Sequence, residues 1–196
     1  KRHPIDKFGN KTLTDEWMMK RFKLFEAFCI PSVINQSVSN FEWFVYFDKE
    51  TKQDHREKIY QIQQQIPKFI PVFIPDTNYK SHIRKSVTSR LTKKDAYVIT
   101  SRIDNDDAVH KDFLLEVQKR FNYQNDTFFR FLRGYQWQHD KCTFLKMNEK
   151  SGNHFSSRIE SVNKGIDTVI NVDNQKIAEI PGVKIVDVVI KKRLWM

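Results

Sequence analysis

The apolar positions of this chain change period repeatedly, and each change marks an element. From Leu13 onward, Met18, Phe22, Phe25 and Cys29 recur at intervals of four, three and four, the stripe of an amphipathic helix. Thr12 or Thr14 can cap its start, and Pro31 disfavours helical conformation at Ile30, so the pattern predicts a helix that ends or breaks there. Cys29 lies on the same stripe and reads as a buried thiol. Residues 41–47 are almost wholly apolar, as in a central strand covered on both faces, and they end in the carboxylate of Asp48. Asp54 stands where an N-cap belongs for a helix carrying Ile59, Ile62 and Ile66, which Pro67 stops. Residues 69–74 form a further strand, assigned to an edge or a bulge by Pro71. A basic helix over 81–93 comes next, with Ile83, Val87 and Leu91 facing inward.

A third strand, from Tyr97, runs directly into Arg102-Ile103-Asp104-Asn105-Asp106-Asp107. Strand, helix, strand, helix, strand is the order of a parallel α/β sheet. Beyond it Val109, Phe113, Val117 and Phe121 repeat at four and predict another helix. The runs then shorten. Residues 127–132, 135–138 and 143–147, grouped around Gly134 and a polar His139-Asp140-Lys141, predict antiparallel strands. A polar loop over 148–153 leads to the segment 154–160, and 183–190 forms a last strand. The fold class expected is α/β, with a mainly parallel central sheet flanked by helices and antiparallel strands in the C-terminal half.

Three carboxylates within four positions at the end of a strand raise one another's pKa unless a cation neutralises them. In open α/β sheets ligands bind just beyond the carboxyl ends of the strands, where this cluster falls. Oxygen ligands so spaced suit a divalent ion that keeps waters and bridges a diphosphate. The simpler explanation is an Asx turn in which Asp104 or Asn105 caps the next helix, and the two roles can coexist. Asp48 is equally divided between a binding role and a turn cap. Arg84, Lys85, Arg90, Lys93 and Lys94 read as a solvated basic face, with Arg90 the candidate to reach substrate phosphates.

Composition narrows the picture. With 196 residues, 39% of them hydrophobic and 16 of them Phe, the chain suits one domain with a packed core. A net charge of +10 favours anionic partners, among them nucleotides, nucleic acid, acidic polymers and membrane surfaces. Only 5 Gly make a glycine-built phosphate cradle implausible, and no G-x-S-x-G elbow or Ser-His-Asp arrangement appears. The six His are scattered, and Cys29 and Cys142 offer neither a metal-ligand spacing nor a disulfide framework, which suits a reducing compartment. No apolar run approaches the ~20 residues of a membrane span and no signal peptide opens the chain, so a soluble protein is expected.

The order Arg21-x-x-Leu24-Phe25-Glu26, Pro31-Ser32-x-x-x-Gln36, Asn40-Phe41-x-Trp43 leading to Phe47-Asp48, then residues 100–108, resembles the putative rhamnosyltransferase family of bacterial GT-A glycosyltransferases. The resemblance covers roughly residues 20–160. It implies one GT-A-like domain over 1–196, with 12–124 as its nucleotide-binding half and 125–196 as its acceptor-side half. It implies that Asp104 and Asp106 form a DxD motif holding Mg²⁺ or Mn²⁺ on a donor diphosphate, with Asp104 and Asp107 also facing the donor. Asp48 would contact the nucleoside, Arg102 would be a phosphate or structural partner, and Glu160 would be the acceptor-side base. The activity implied is transfer of a sugar, with rhamnose as the label's choice, from a nucleotide-sugar donor to a glycan or lipid-linked acceptor for polysaccharide biosynthesis. No nucleic-acid partner is expected. A cytoplasmic location is, with peripheral attachment to the anionic inner face of the membrane suited to the basic balance. Two other readings are a metal-dependent nuclease or phosphoryl-transfer enzyme, drawn from the acids and the charge, and a catalytically inactive GT-A-like binding protein. The second draws on two departures: nothing before residue 12 reads as the opening strand of a GT-A fold, and the family continues past a residue like Trp195 into a His-containing segment. A truncated chain is therefore expected. Nothing in the pattern fixes an oligomeric state.

Overall fold

The computed structural model describes residues 14–75, 77–138, 141–148, 155–171, 177, 180–191 and 193–196. The first helix, α1 (Asp15–Leu24), is capped by Thr14, whose hydroxyl accepts the N–H of Trp17. It does not stop at Pro31. One wider, π-helical turn, Phe25–Cys29, joins it to α2 (Ile30–Ile34), and the N–H of Ile30 reaches back to the carbonyl of Phe25. Pro31 thus enters at the start of a new helical segment, where a missing N–H is least costly. The predicted stripe is correct: Phe22, Phe25 and Cys29 are buried.

Strand β1 (Trp43–Asp48) leads through a turn to α3 (Gln53–Gln65). The helix is not capped by Asp54. Lys52 occupies the cap without a capping side-chain hydrogen bond, and Asp54 sits in the first turn, where its charge meets the positive end of the helix. Strand β2 (Phe69–Ile74) runs parallel to β1 from Trp43 opposite Phe69 to Asp48 opposite Ile74, with Pro71 opposite Val45. Among the described residues β2 pairs with β1 alone, which is the edge position Pro71 requires. Helix α4 (Tyr79–Thr88) is shorter than the 81–93 expected, and β3 (Tyr97–Ser101) precedes the acidic stretch.

The expectation of a mainly parallel central sheet needs correction. Among the described residues β1 and β2 form a parallel pair of their own, while β3 belongs to a four-stranded mixed sheet. That sheet is completed by β4 (Thr127–Phe131), β7 (Ser156–Ser161) and β8 (Lys184–Val188), in the order β3, β7, β4, β8. Strand β7 is antiparallel to both neighbours, and only β4 and β8 pair in parallel. The cause is a late strand inserted between two earlier ones, a pairing that neighbouring elements do not announce. Strands β5 (Arg133–Gln138) and β6 (Thr143–Asn148) form the antiparallel hairpin expected, but β4 is not part of it. The helix predicted from Val109 to Phe121 shrinks to α5 (Phe113–Gln118), because Val109 instead bridges to Trp195.

Two cores result. One gathers Phe22, Phe25, Cys29, Trp43, Ile59 and Phe69 between the first helices and the β1–β2 pair. The other gathers Phe113, Phe129, Phe131, Phe155, Ile159 and Trp195 on the mixed sheet. Ile103, inside the acidic stretch, packs against both. The carboxylates next to it in the chain are therefore fixed at the junction of the two layers.

Candidate functional site

Beyond Ser101 the chain leaves the sheet and turns, with the N–H of Asp107 donating to the carbonyl of Asp104 at 3.2 Å. Two separate ties hold the far side of this turn. Ala108 exchanges both backbone hydrogen bonds with Met196, at 2.6 and 2.7 Å. Gln36 joins α2 to the start of α5: its amide donates to the carbonyl of His110 and its oxygen accepts the N–H of Leu114. Ser37 donates its N–H to the carbonyl of Lys111 at 2.7 Å. The Pro31-to-Gln36 segment that carries part of the family resemblance is thus a clamp on the stretch of chain just after the acids.

Asp104 and Asp106 are each met by an arginine. Arg102 donates from Nε and Nη2 to the two carboxylate oxygens of Asp104, at 3.0 and 3.2 Å. Arg21, on α1, donates from Nη1 and Nη2 to both oxygens of Asp106 at 2.7 and 2.8 Å, and from Nη2 to the side-chain oxygen of Asn105. Such two-pronged pairing is what the planar guanidinium does best. Both pairs are only partly covered, so water and ligands still reach the oxygens. The negative field of the cluster extends inward: burial, then the charges of Asp107, Asp106 and Asp104, push the Cys29 thiol up to about 12.

A pocket of about 430 Å³ opens beside this turn. Its walls include Asp48 and Thr51 after β1, Arg21 and Trp17 on α1, and Asp104 and Asn105. Asp48 also accepts the N–H of Glu50 at 2.7 Å, so the turn-cap role holds whether or not the residue binds anything. The structure therefore brings Asp48, Asp104 and Asn105 to one cavity from two different sheets, with Arg102 bonded to Asp104 and Asp106 bonded to Arg21. Arg21 opens the first segment of the family resemblance, but the sequence alone assigns it no role in the site. The signal available is a lone arginine on the amphipathic helix, with a partner 85 positions away.

Two expected residues lie elsewhere. Arg90 pairs with Glu42 at 3.6 Å, at the start of β1, about 20 Å along that strand from Asp48. Glu160 sits in β7 opposite Val98, about 10 Å back along the sheet from Ser101. It is buried and accepts the N–H groups of Asp167 and Thr168 at 2.8 and 3.0 Å. Arg158, on the same face of β7, approaches it to 3.4 Å and also bonds Asp126. Burial raises the Glu160 carboxyl above its ordinary range, while the amides and Arg158 pull it back. A separate cavity of about 240 Å³ adjoins this group, lined by Arg84, Asp126 and Lys164 among others.

Mg²⁺ commonly uses one or two carboxylates and takes its remaining ligands from phosphate and water. Asp104 and Asp106 fit that demand as part-exposed oxygen donors. Among the described residues no three His, Cys, Asp or Glu side chains converge to hold an ion by themselves. No described helix is long and apolar enough to cross a membrane. No curated protein is matched by the chain. A family model described as putative rhamnosyl transferase matches residues 9–183, nearly the whole length, and the chain belongs to that family.

Proposed function

We propose that the chain is a glycosyltransferase that binds a nucleoside-diphosphate sugar in the pocket between β1 and the acidic turn and passes the sugar, rhamnose by the family's description, to a glycan or lipid-linked acceptor. The observation that carries this reading is the convergence of Asp48, Asp104 and Asn105 on one cavity that runs along β1 to its carboxyl end and reaches the turn after β3. Membership of the family supports the reaction class.

In this reading Asp104 and Asp106 hold Mg²⁺ or Mn²⁺. The ion would supply charge that stabilises the departing nucleoside diphosphate. The chain's own residues do the positioning. Arg21 orients Asn105 and Asp106, and Arg102 orients Asp104, so the carboxylates are set before the donor arrives. Both guanidiniums are partly exposed beside the place proposed for the diphosphate and offset its charge. Glu160 has both oxygens committed to backbone amides and Arg158, so acceptor deprotonation is not routed through it. Asp107 is not among the residues lining the pocket, and its proposed donor-facing role rests on the family resemblance alone.

Calorimetric titration of UDP and dTDP, with and without Mn²⁺, tests the reading. Metal-dependent binding is expected, weakened at least about tenfold in Asp104→Asn/Asp106→Asn. Binding indifferent to both the ion and the double variant would place the nucleotide elsewhere. No binding by the folded chain would end the proposal.

A further inference from the structure

A two-stranded hairpin is marginal in water unless something covers a face. Among the described residues the β5–β6 hairpin is covered only at its base. There Gly134 lies beneath the Trp195 ring, so close that a Cβ on residue 134 would overlap it. Arg193 Nη1 ties the two strands by donating to the carbonyls of Gly134 and Met147. Toward the turn the cover stops. Trp137, Phe144 and Leu145 are 37%, 51% and 41% exposed, in a chain whose other exposed large apolar residues are mostly scattered.

The arrangement of these three residues is informative. Trp137 stands directly across from Phe144, their rings 4.8 Å apart, and Tyr135 continues the row 6.1 Å from Phe144. Leu145 faces Gln136 and, by strand alternation, projects from the opposite face. A sugar-stacking platform needs apolar surface on one face. A hairpin that shows it on both faces near its tip suits immersion in an apolar medium. Among the described residues of the hairpin the flanking charge is positive. Lys141 and Lys146 are exposed, Lys146 on the Trp137 side, and Arg193 lies 5.2 Å over the Tyr135 ring at the base. The whole chain carries +10. Tryptophan flanked by lysines is the composition of a membrane–water interface.

We propose that the tip of the β5–β6 hairpin docks the protein on an anionic lipid surface. Trp137, Phe144 and Leu145 enter the boundary between headgroups and acyl chains, and Lys141 and Lys146 meet the lipid phosphates. This inference is independent of the sugar chemistry and holds for a chain with no transferase activity. The test is sedimentation of the full chain with vesicles of phosphatidylcholine, with and without phosphatidylglycerol. Binding to the anionic vesicles is expected. Trp137→Ser/Phe144→Ser/Leu145→Ser should lower it about tenfold or more, since each buried apolar group adds to partition. Lys141→Glu/Lys146→Glu should remove the preference for phosphatidylglycerol. The substituted side chains are exposed, and circular dichroism checks that each variant folds. Brominated acyl chains should quench the wild type more than Trp137→Phe. Wild-type protein left in the supernatant, or a triple variant that sediments like wild type, would overturn the proposal. Binding to a soluble acidic polysaccharide but not to vesicles would also overturn it, and would make the aromatic row a sugar platform.

Discussion

Arg158 and Glu160 approach to 3.4 Å with side chains only 5% and 3% exposed, whereas Arg21 and Asp106 meet at 2.7 Å with side chains 25% and 40% exposed. The functional groups are of the same kind, and solvent access separates their uses. In the interior, Glu160 must have its oxygens engaged permanently, because a buried charge left unpaired is costly, and a group so engaged has little left for a substrate. At the junction of the layers, Asp106 keeps water on part of its surface and its partner can be exchanged for a ligand at small cost. A carboxylate–arginine pair is therefore a better candidate site when it is half open.

The strongest way to break this comparison is to truncate one member on each side. Glu160→Ala should cost about 3–5 kcal/mol of stability, because it orphans part of Arg158 and the two amides, and denaturant unfolding reads it. Asp106→Asn should change stability by less than about 1 kcal/mol. Equal losses would show that both pairs are structural. Arg21→Ala is the next sharpest test. Nucleotide binding should weaken about tenfold with stability nearly unchanged, and titration beside a thermal melt separates the two.

A pH series gives a smaller effect. The folded Glu160 carboxyl is raised above its ordinary 4.5 by burial, so its contribution to stability is full below that value and is lost as pH rises through the folded one. Relative to the non-titrating Glu160→Gln, the wild type should therefore lose stability as pH climbs from about 4. A parallel pair of curves would remove the assigned cause. The smallest effect expected is chemical. Cys142 is exposed and Cys29 is buried with its thiol held near 12, so a thiol reagent at neutral pH should label Cys142 and leave Cys29 until the chain is unfolded.

Legibility in the sequence depends on the range of the forces involved. Phe22, Phe25 and Cys29 declared their shared face because helical period is local. Asp48 and Asp104 were each legible as carboxylates at a strand end, but that they line one cavity was not, because β1 and β3 lie in different sheets. Pro31 misled, since a proline ends a regular helix but is accommodated when a π-helical turn shifts the register just before it. Strand β7 gave no hint that it would lie between β3 and β4, and with it went the location of Glu160. Arg90 belonged to a basic segment whose direction no periodicity could reveal, and Glu42 holds it at the wrong end of β1.

The exchange of backbone bonds between Ala108 and Met196, continued by the bridge from Val109 to Trp195, also bears on how the protein acquires its shape. Contacts that distant in sequence close a very long loop, and such closures are entropically disfavoured until the layers between are already built. The turn bearing Asp104, Asp106 and Asp107 should consequently be among the last parts to become ordered during refolding. Pulse-labelling hydrogen exchange should find the amides of Ala108 and Met196 protected later than those of β1 and β2, whose pairing spans a much shorter stretch of chain.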